Sequence, residues 1–180
     1  MANLSKFILN KIMGWKVVNT FPEVPKCVLA VAPHTSNWDF VVGKLAYNSL
    51  GRQANFLIKA EWFFFPFNIF FSRIGGIPVK RGKSGSLTEI LANEFRTREW
   101  MHLGITPEGT RKPVKEWKKG FYFIAVKARV PILLIGLDYG KKEARVLDLF
   151  YPTNDYRKDI VTIKSYYKDV QAKKPENFIL

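Results

Sequence analysis

His34 and Asp39 stand five residues apart in Ala32-Pro33-His34-Thr35-Ser36-Asn37-Trp38-Asp39-Phe40, in a chain with two histidines in all. An imidazole becomes a useful general base when a carboxylate holds its Nδ1–H, fixes the tautomer and stabilises the imidazolium. A five-residue step permits this only where the chain turns between the two. The flanks supply the turn. Lys26 to Val31 is short, apolar and β-branched, the pattern of a buried strand, whereas Phe40, Val41, Lys44, Leu45 and Leu50 follow at helical spacing. His34 therefore falls at the carboxyl end of a strand and Asp39 in the first turn of a helix, with Ser36 or Asn37 as N-cap. In an open α/β sheet that is where ligands bind. A turn whose histidine merely satisfies backbone groups has the same pattern, so the pair needs company from the rest of the chain.

A second group of reactive side chains follows another predicted strand, Trp100 to Ile105, in Thr106-Pro107-Glu108-Gly109-Thr110-Arg111. This turn brings a carboxylate, a permissive backbone and a guanidinium to the same sheet edge as His34. Arg111 suits a phosphate, which Glu108 would repel; Glu108 fits a substrate hydroxyl or a loop-holding role. His102, in mid-strand, reads as structural. A third group, Lys80, Arg81 and Lys83, clusters beside Gly75-Gly76-Ile77-Pro78-Val79. Gly82-Lys83-Ser84 ends like a phosphate-binding loop, but Ile77 stands where that motif needs glycine, which excludes a P-loop nucleotide hydrolase. The densest aromatic stretch is Trp62-Phe63-Phe64-Phe65-Pro66-Phe67-Asn68-Ile69-Phe70-Phe71. It is too short to span a bilayer and is expected to contact an acyl chain or a membrane through Trp62, Phe63, Phe64, Phe65 and Phe67.

The elements that must position these groups alternate along the chain. Strands are expected at 26–31, 54–59, 100–105 and 130–135, with Glu143 to Leu149 as hairpin or edge partner of the last and a further short strand between the Gly75-Gly76 turn and the cations from Lys80. Helices are expected after His34, over 84–99 with Leu87, Ile90, Leu91 and Phe95 inward, after Gly120, and over 155–170. This predicts a single layered α/β domain with a mixed, largely parallel central sheet flanked by helices. Residues 1–25 form an amphipathic helix and lead-in, with Leu4, Phe7, Ile8, Ile12 and Trp15 on one side. Residues 26–150 form the core, and 151–180 a helix and a tail that frays at Lys173-Lys174-Pro175. With 180 residues, 47% of them hydrophobic, the chain is long enough for a substantial core. Its one cysteine, Cys27, fits the core of a protein in a reducing compartment. A formal net charge of +14 predicts anionic partners. A nucleic-acid binder would interleave its aromatics with Lys and Arg, whereas here they form one apolar run, so no nucleic-acid partner is expected. No stretch approaches the ~20 apolar residues of a membrane span and no export signal is evident, which places the protein in the cytoplasm.

Four stretches taken in order resemble the blocks of the glycerophospholipid acyltransferase family, especially the bacterial 1-acylglycerol-3-phosphate acyltransferases. His34 and Asp39 match its His-x4-Asp. Gly75 through Arg81 resembles Gly-x-Ile-Phe-Val-x-Arg, Pro107 through Arg111 resembles the end of Phe-Pro-Glu-Gly-Thr-Arg, and Val130-Pro131-Ile132 resembles the start of Val-Pro-Ile-x-Pro-Val. Pro78 replaces an aromatic, Thr106 replaces another, and Leu134 stands where a second proline is common. These departures leave the His–Asp pair intact and bear on the acceptor.

The resemblance implies a glycerolipid acyltransferase-like fold and a reaction without metal or bound cofactor. His34, oriented by Asp39, would take a proton from a lysophospholipid hydroxyl, which attacks the thioester of acyl-CoA or acyl carrier protein directly. Arg81, Glu108, Gly109, Thr110 and Arg111 would bind substrate, the two arginines on the acceptor phosphate, and amides opening the following helix would meet the oxyanion. The acceptor implied first is 1-acylglycerol-3-phosphate, giving phosphatidic acid, on the inner face of the cytoplasmic membrane and against its anionic lipids. Transfer to another amphiphile (an acylated amino-acid lipid or a lipid A precursor), thioester hydrolysis, and a catalytically silent lipid-binding module are the competing readings.

Overall fold

The computed structural model describes residues 2–79 and 84–180, the latter without the side chains of 84–86. Seven strands form one sheet: β1 (Lys16–Val18), β2 (Lys26–Ala32), β3 (Asn55–Lys59), β4 (Gly76–Val79), β5 (Met101–Ile105), β6 (Ile132–Asp138) and β7 (Glu143–Phe150), in the order β1-β7-β6-β2-β5-β3-β4. Five central and right-hand strands run parallel; β7 is antiparallel to β6, as expected of its hairpin partner, and β1 pairs parallel with β7. The mixed, largely parallel α/β sheet is therefore the observed architecture. The three-residue β1 lacks any sequence signal long enough to be read.

Strands buried on both faces have near-continuous apolar sequences, and β6, Ile-Leu-Leu-Ile-Gly-Leu-Asp, is buried throughout. Helix α2 (Trp38–Ser49) and α3 (Phe67–Arg73) carry the chain rightwards across the sheet, from β2 to β3 and on to β4. After α4 (Ser84–Thr97) it returns to β5, and α5 (Gly120–Ala128) takes it left to β6. Right-handed crossovers running in opposite directions must lie on opposite faces. The two cores show this. Val42, Ala46 and Tyr47 of α2 pack with Leu29, Leu133 and Ile135 on one side. Leu91, Phe95 and Phe121 pack with Val28, Ala30 and Ile132 on the other. Adjacent strands β2 and β5 thus send the chain off in opposite directions, which opens a crevice above their carboxyl ends.

Four expectations need correction. The N-terminal helix α1 (Ala2–Phe7) runs into a π-helical segment at Ile8–Ile12, whose wider turn rotates the apolar stripe. Leu9 and Trp15 become the buried anchors, while Leu4, Phe7 and Ile12 face outward. On α4, Leu91, Ala92 and Phe95 point inward but Ile90 is exposed. The last helix, α6 (Tyr156–Ser165), is shorter than its periodicity predicts. Past it Tyr167 turns fully into the core, its hydroxyl donating to Ala30 O at 2.7 Å. The tail beyond does not fray: Ala172 is buried and Lys174 N donates to Thr35 Oγ1 at 3.2 Å.

Candidate active site

The register of β2 explains what meets at its end. Ala30 pairs with Ile105 of β5 on one side, and Ala32 with Gly136 of β6 on the other. The residues that follow these three parallel strands, His34 to Asp39, Thr106 to Arg111 and Tyr139, therefore converge on one edge. His34 Nδ1 lies 3.4 Å from Asp39 Oδ2 and, although buried, has no better-aligned partner. Catalytic contacts of this kind are commonly long before substrate binds. With Nδ1 turned to the carboxylate, Nε2 lies on the far side of the ring, and the His34 side chain, 20% exposed, lines a cavity.

Asp39 is 3% exposed. Thr35 N and Ser36 N each donate to its Oδ2 at 2.7 Å, and the Tyr139 hydroxyl donates to Oδ1 at 2.7 Å. Burial alone would push this carboxyl up, but the His34 imidazole and the Tyr139, Ser36 and Thr35 donors together outweigh it and hold the group below its ordinary value. Asp39 is thus an anion locked by its own turn. Asn37 precedes the helix without a side-chain cap, and Ser36 Oγ instead accepts from Trp38 N at 3.2 Å. The amides of Thr35, Ser36 and Trp38 are all engaged within the turn, which removes them from the expected oxyanion role.

Glu108 comes from the neighbouring turn and its Oε1 accepts from His34 N at 2.7 Å. At 3% exposure it holds the histidine's main chain instead of facing the cavity. Burial pushes the Glu108 carboxyl up, and its Oε2 is buried without a hydrogen-bond partner among the described residues. Gly109 does line the cavity. Its φ of +66° and a Cβ position only 2.9 Å from Lys118 Cγ explain why glycine sits there. Thr110 Oγ1 accepts from Lys112 N at 3.3 Å, and Arg111 Nη1 donates to Asn37 Oδ1, which sets the guanidinium at the exposed rim beside the His–Asp turn. Arg81 lies outside the described residues.

From His34 and Asp39 a cavity of about 560 Å³ runs beneath α2 along the sheet. Its walls are mostly apolar, with Leu29, Val31, Ile135, Leu137, Ala46 and Phe56 among them. Tyr47 also lines it, and the Tyr47 hydroxyl is hydrogen-bonded to His102 Nδ1, while His102 Nε2 lies 2.7 Å from Val24 O. Burial pushes His102 down, so it is neutral, with its proton on Nε2 towards that carbonyl. Its role is structural, as expected. The aromatic run is placed differently. None of Trp62, Phe63, Phe64, Phe65 or Phe67 lines the cavity. Short elements joined at Pro66 cannot bury every ring, and Trp62, Phe64, Phe65, Phe67 and Phe70 are exposed, Phe65 by 77%. The apolar cavity of the fold is lined instead by residues under α2, which carry no motif. Among the described residues no cluster of three or more His, Cys, Asp or Glu could hold a metal, and no helix is long and apolar enough to cross a membrane.

The open α/β sheet thus carries a His–carboxylate pair at the mouth of an apolar cavity, beyond the carboxyl ends of its central strands. The acyltransferase family model matches residues 16–137, and the chain belongs to that family. Among solved structures it is similar to the 1-acyl-sn-glycerophosphate (LPA) acyltransferase PlsC from Thermotoga maritima, with a TM-score of 0.58 and 19% identity over 93% of this chain and 78% of that one. At that identity the likeness is one of fold. A comparison with curated protein sequences gives no match.

Proposed function

We propose that this acyltransferase moves a fatty acyl group from acyl-CoA or acyl carrier protein to the free hydroxyl of a lysophospholipid, 1-acylglycerol-3-phosphate first, at an anionic membrane surface. The observation that carries the reading is the pairing of His34 and Asp39 at the open end of an apolar cavity. His34 Nε2 takes the hydroxyl proton as that oxygen attacks the thioester carbonyl. The tetrahedral intermediate collapses with cleavage of the C–S bond, and the departing thiolate recovers the proton from the imidazolium. Asp39 stays ionised throughout, and no acyl-enzyme forms. The cavity volume lies within the ~300–1,000 Å³ usual for small-molecule sites and its lining suits an alkyl chain. Ala46 stands seven residues along α2 from Asp39, about 10 Å deeper at helical rise. Ala46→Phe is expected to shift donor preference to shorter acyl chains with little change in rate on the shortest, read from rates across a chain-length series.

Arg111 supports an anionic acceptor, since a guanidinium at the rim can hold a phosphate by charge-assisted bonds worth about 1.5–3 kcal/mol. Arg111→Ala is expected to raise the acceptor KM by about 10- to 100-fold while kcat changes little. Membrane contact is supported by where the exposed apolar side chains gather. Leu4, Phe7, Trp38, Phe40 and Val41 join the Trp62–Phe70 aromatics on the α1–α3 side, in a chain of net charge +14. Trp62→Ala with Phe65→Ala is expected to weaken binding to anionic vesicles about 100-fold, since burying each ring is worth about 1.5–3 kcal/mol.

The second reading is transfer to another amphiphile. What favours it is Thr106, which lines the cavity where related sequences carry an aromatic and so leaves room for a bulkier acceptor. A panel of lysolipids and acylated amino-acid lipids on anionic vesicles, with products identified by mass, separates the two. Preference for 1-acylglycerol-3-phosphate supports the first; transfer only to another amphiphile supports the second; vesicle binding without transfer sinks both.

A further inference from the structure

Among the described residues, the Asp39 carboxylate receives one hydrogen bond from outside its own turn and the His34 ring, at Oδ1, from the Tyr139 hydroxyl. Without that bond Oδ1 would be buried and unpaired, and the carboxylate plane would be fixed only on its Oδ2 side. Tyr139 is held in turn from several directions. Its ring meets Trp15 edge-on at 4.8 Å. Its backbone N donates to Gln171 O at 2.8 Å. The Lys173 ammonium lies 5.8 Å from its ring centre and 5.1 Å from that of Trp38. The same C-terminal segment reaches the dyad's turn directly, where Lys174 N donates to the buried Thr35 Oγ1. Room for its approach comes from glycine: a Cβ on Gly136 would lie 3.1 Å from Val170 Cγ2, and one on Gly140 would collide with the Gln171 side chain. Val170 and Ala172 are buried although no regular element holds them.

We propose that Tyr139 is a positioning residue for the His34–Asp39 pair and that the segment Gln171–Lys174 is a strap that holds both Tyr139 and the catalytic turn in register. The strap acts on two of the three chain segments that carry the site: the β2–α2 turn through Thr35 and the end of β6 through Tyr139. Its role in transfer rests on the acyltransfer reading above. Its role in orienting the imidazole does not.

Tyr139→Phe keeps the ring and its packing and removes only the hydroxyl; Thr35→Val keeps the shape and removes the acceptor of the strap. Tyr151→Phe, an exposed tyrosine away from the site, is the control. Tyr139→Phe is expected to lower kcat about 10- to 100-fold, with the KM of both substrates within twofold and the acid limb of the kcat profile displaced. Thr35→Val is expected to lower kcat several-fold in the same manner, and the control to match wild type. Because the chain has two histidines, ring ¹⁵N NMR reads His34 directly, with or without turnover. The His34 ring signals are expected to move in Tyr139→Phe and stay fixed in Tyr151→Phe. Unchanged kcat, pH profile and His34 signals in a folded Tyr139→Phe would overturn the proposal. A loss of rate accompanied by matching loss of folded protein would reduce Tyr139 to a structural residue and overturn it as well. Displaced His34 signals in a protein that transfers nothing would leave the positioning role standing and reject the acyltransfer reading instead.

Discussion

His34→Ala is expected to abolish acyl transfer to within background, a loss of about 10³–10⁴-fold, while folding and vesicle binding persist. General-base catalysis contributes about 10²–10⁴-fold, and the upper part of that range applies because the cavity offers no ready substitute. Besides the dyad, its titratable lining groups are Lys44, whose ammonium donates to Ile74 O at 2.7 Å, and Tyr47, whose hydroxyl is bound to His102. The thermal midpoint should move little, since the His34 side chain makes no well-aligned hydrogen bond and is partly exposed. Rate assays beside circular dichroism melts check both halves.

Asp39→Asn is the second large effect, and it separates charge from shape. The amide keeps an oxygen for Thr35 N and Ser36 N, and its NH2 can donate to the Tyr139 hydroxyl, which turns from donor to acceptor, so the turn survives. What disappears is an anion 3.4 Å from an imidazole that must become cationic in the transition state. At an effective dielectric near 20 that attraction is about 5 kcal/mol, which corresponds to a loss of about 10³–10⁴-fold in kcat. Stability carries a pH signature too. The folded carboxyl titrates below its ordinary value of 3.8, so its contribution is fully present above that pH and is lost as pH falls through the lower folded value. Denaturant melts should therefore find Asp39→Asn destabilised at pH 7, with the gap to wild type narrowing as pH falls below 3.8. A constant penalty across that range would mean that the ion's bonds are not what the mutation removes.

Much of this site could be read from the sequence because its central pair is local. Five residues across one strand-to-helix turn bring His34 to Asp39, and apolar runs on either side announce the strand and the helix. Glu108 was readable as a group at the same edge, but its bond to His34 N depends on Ala30 pairing with Ile105, a register that no local pattern encodes. Tyr139 was out of reach. It lies 100 residues from Asp39, in no motif, and its function depends on β6 settling beside β2. The cavity escaped for a related reason: Ala46, Leu137 and Val31 look like any core residues until the α2 helix stands off the sheet above them. The aromatic run was legible only in part. Trp62 to Phe71 announces apolar contact without saying with what, and the fold turns most of those rings outward. The C-terminal tail misled by polarity, since Lys173 and Lys174 look solvated although the backbone between Val170 and Lys174 is bound on both sides.

The reaction proposed for this site passes an acyl group to a hydroxyl. The most direct measurement is the release of free CoA from a long-chain acyl-CoA on anionic vesicles, with and without 1-acylglycerol-3-phosphate. The account predicts thiol release that depends on the acceptor and matches the phosphatidic acid formed one for one. Equal release without acceptor would make the protein a thioesterase, and no release from either acyl-CoA or acyl carrier protein, with any lysolipid or acylated amino-acid lipid of the panel, would contradict acyl transfer outright.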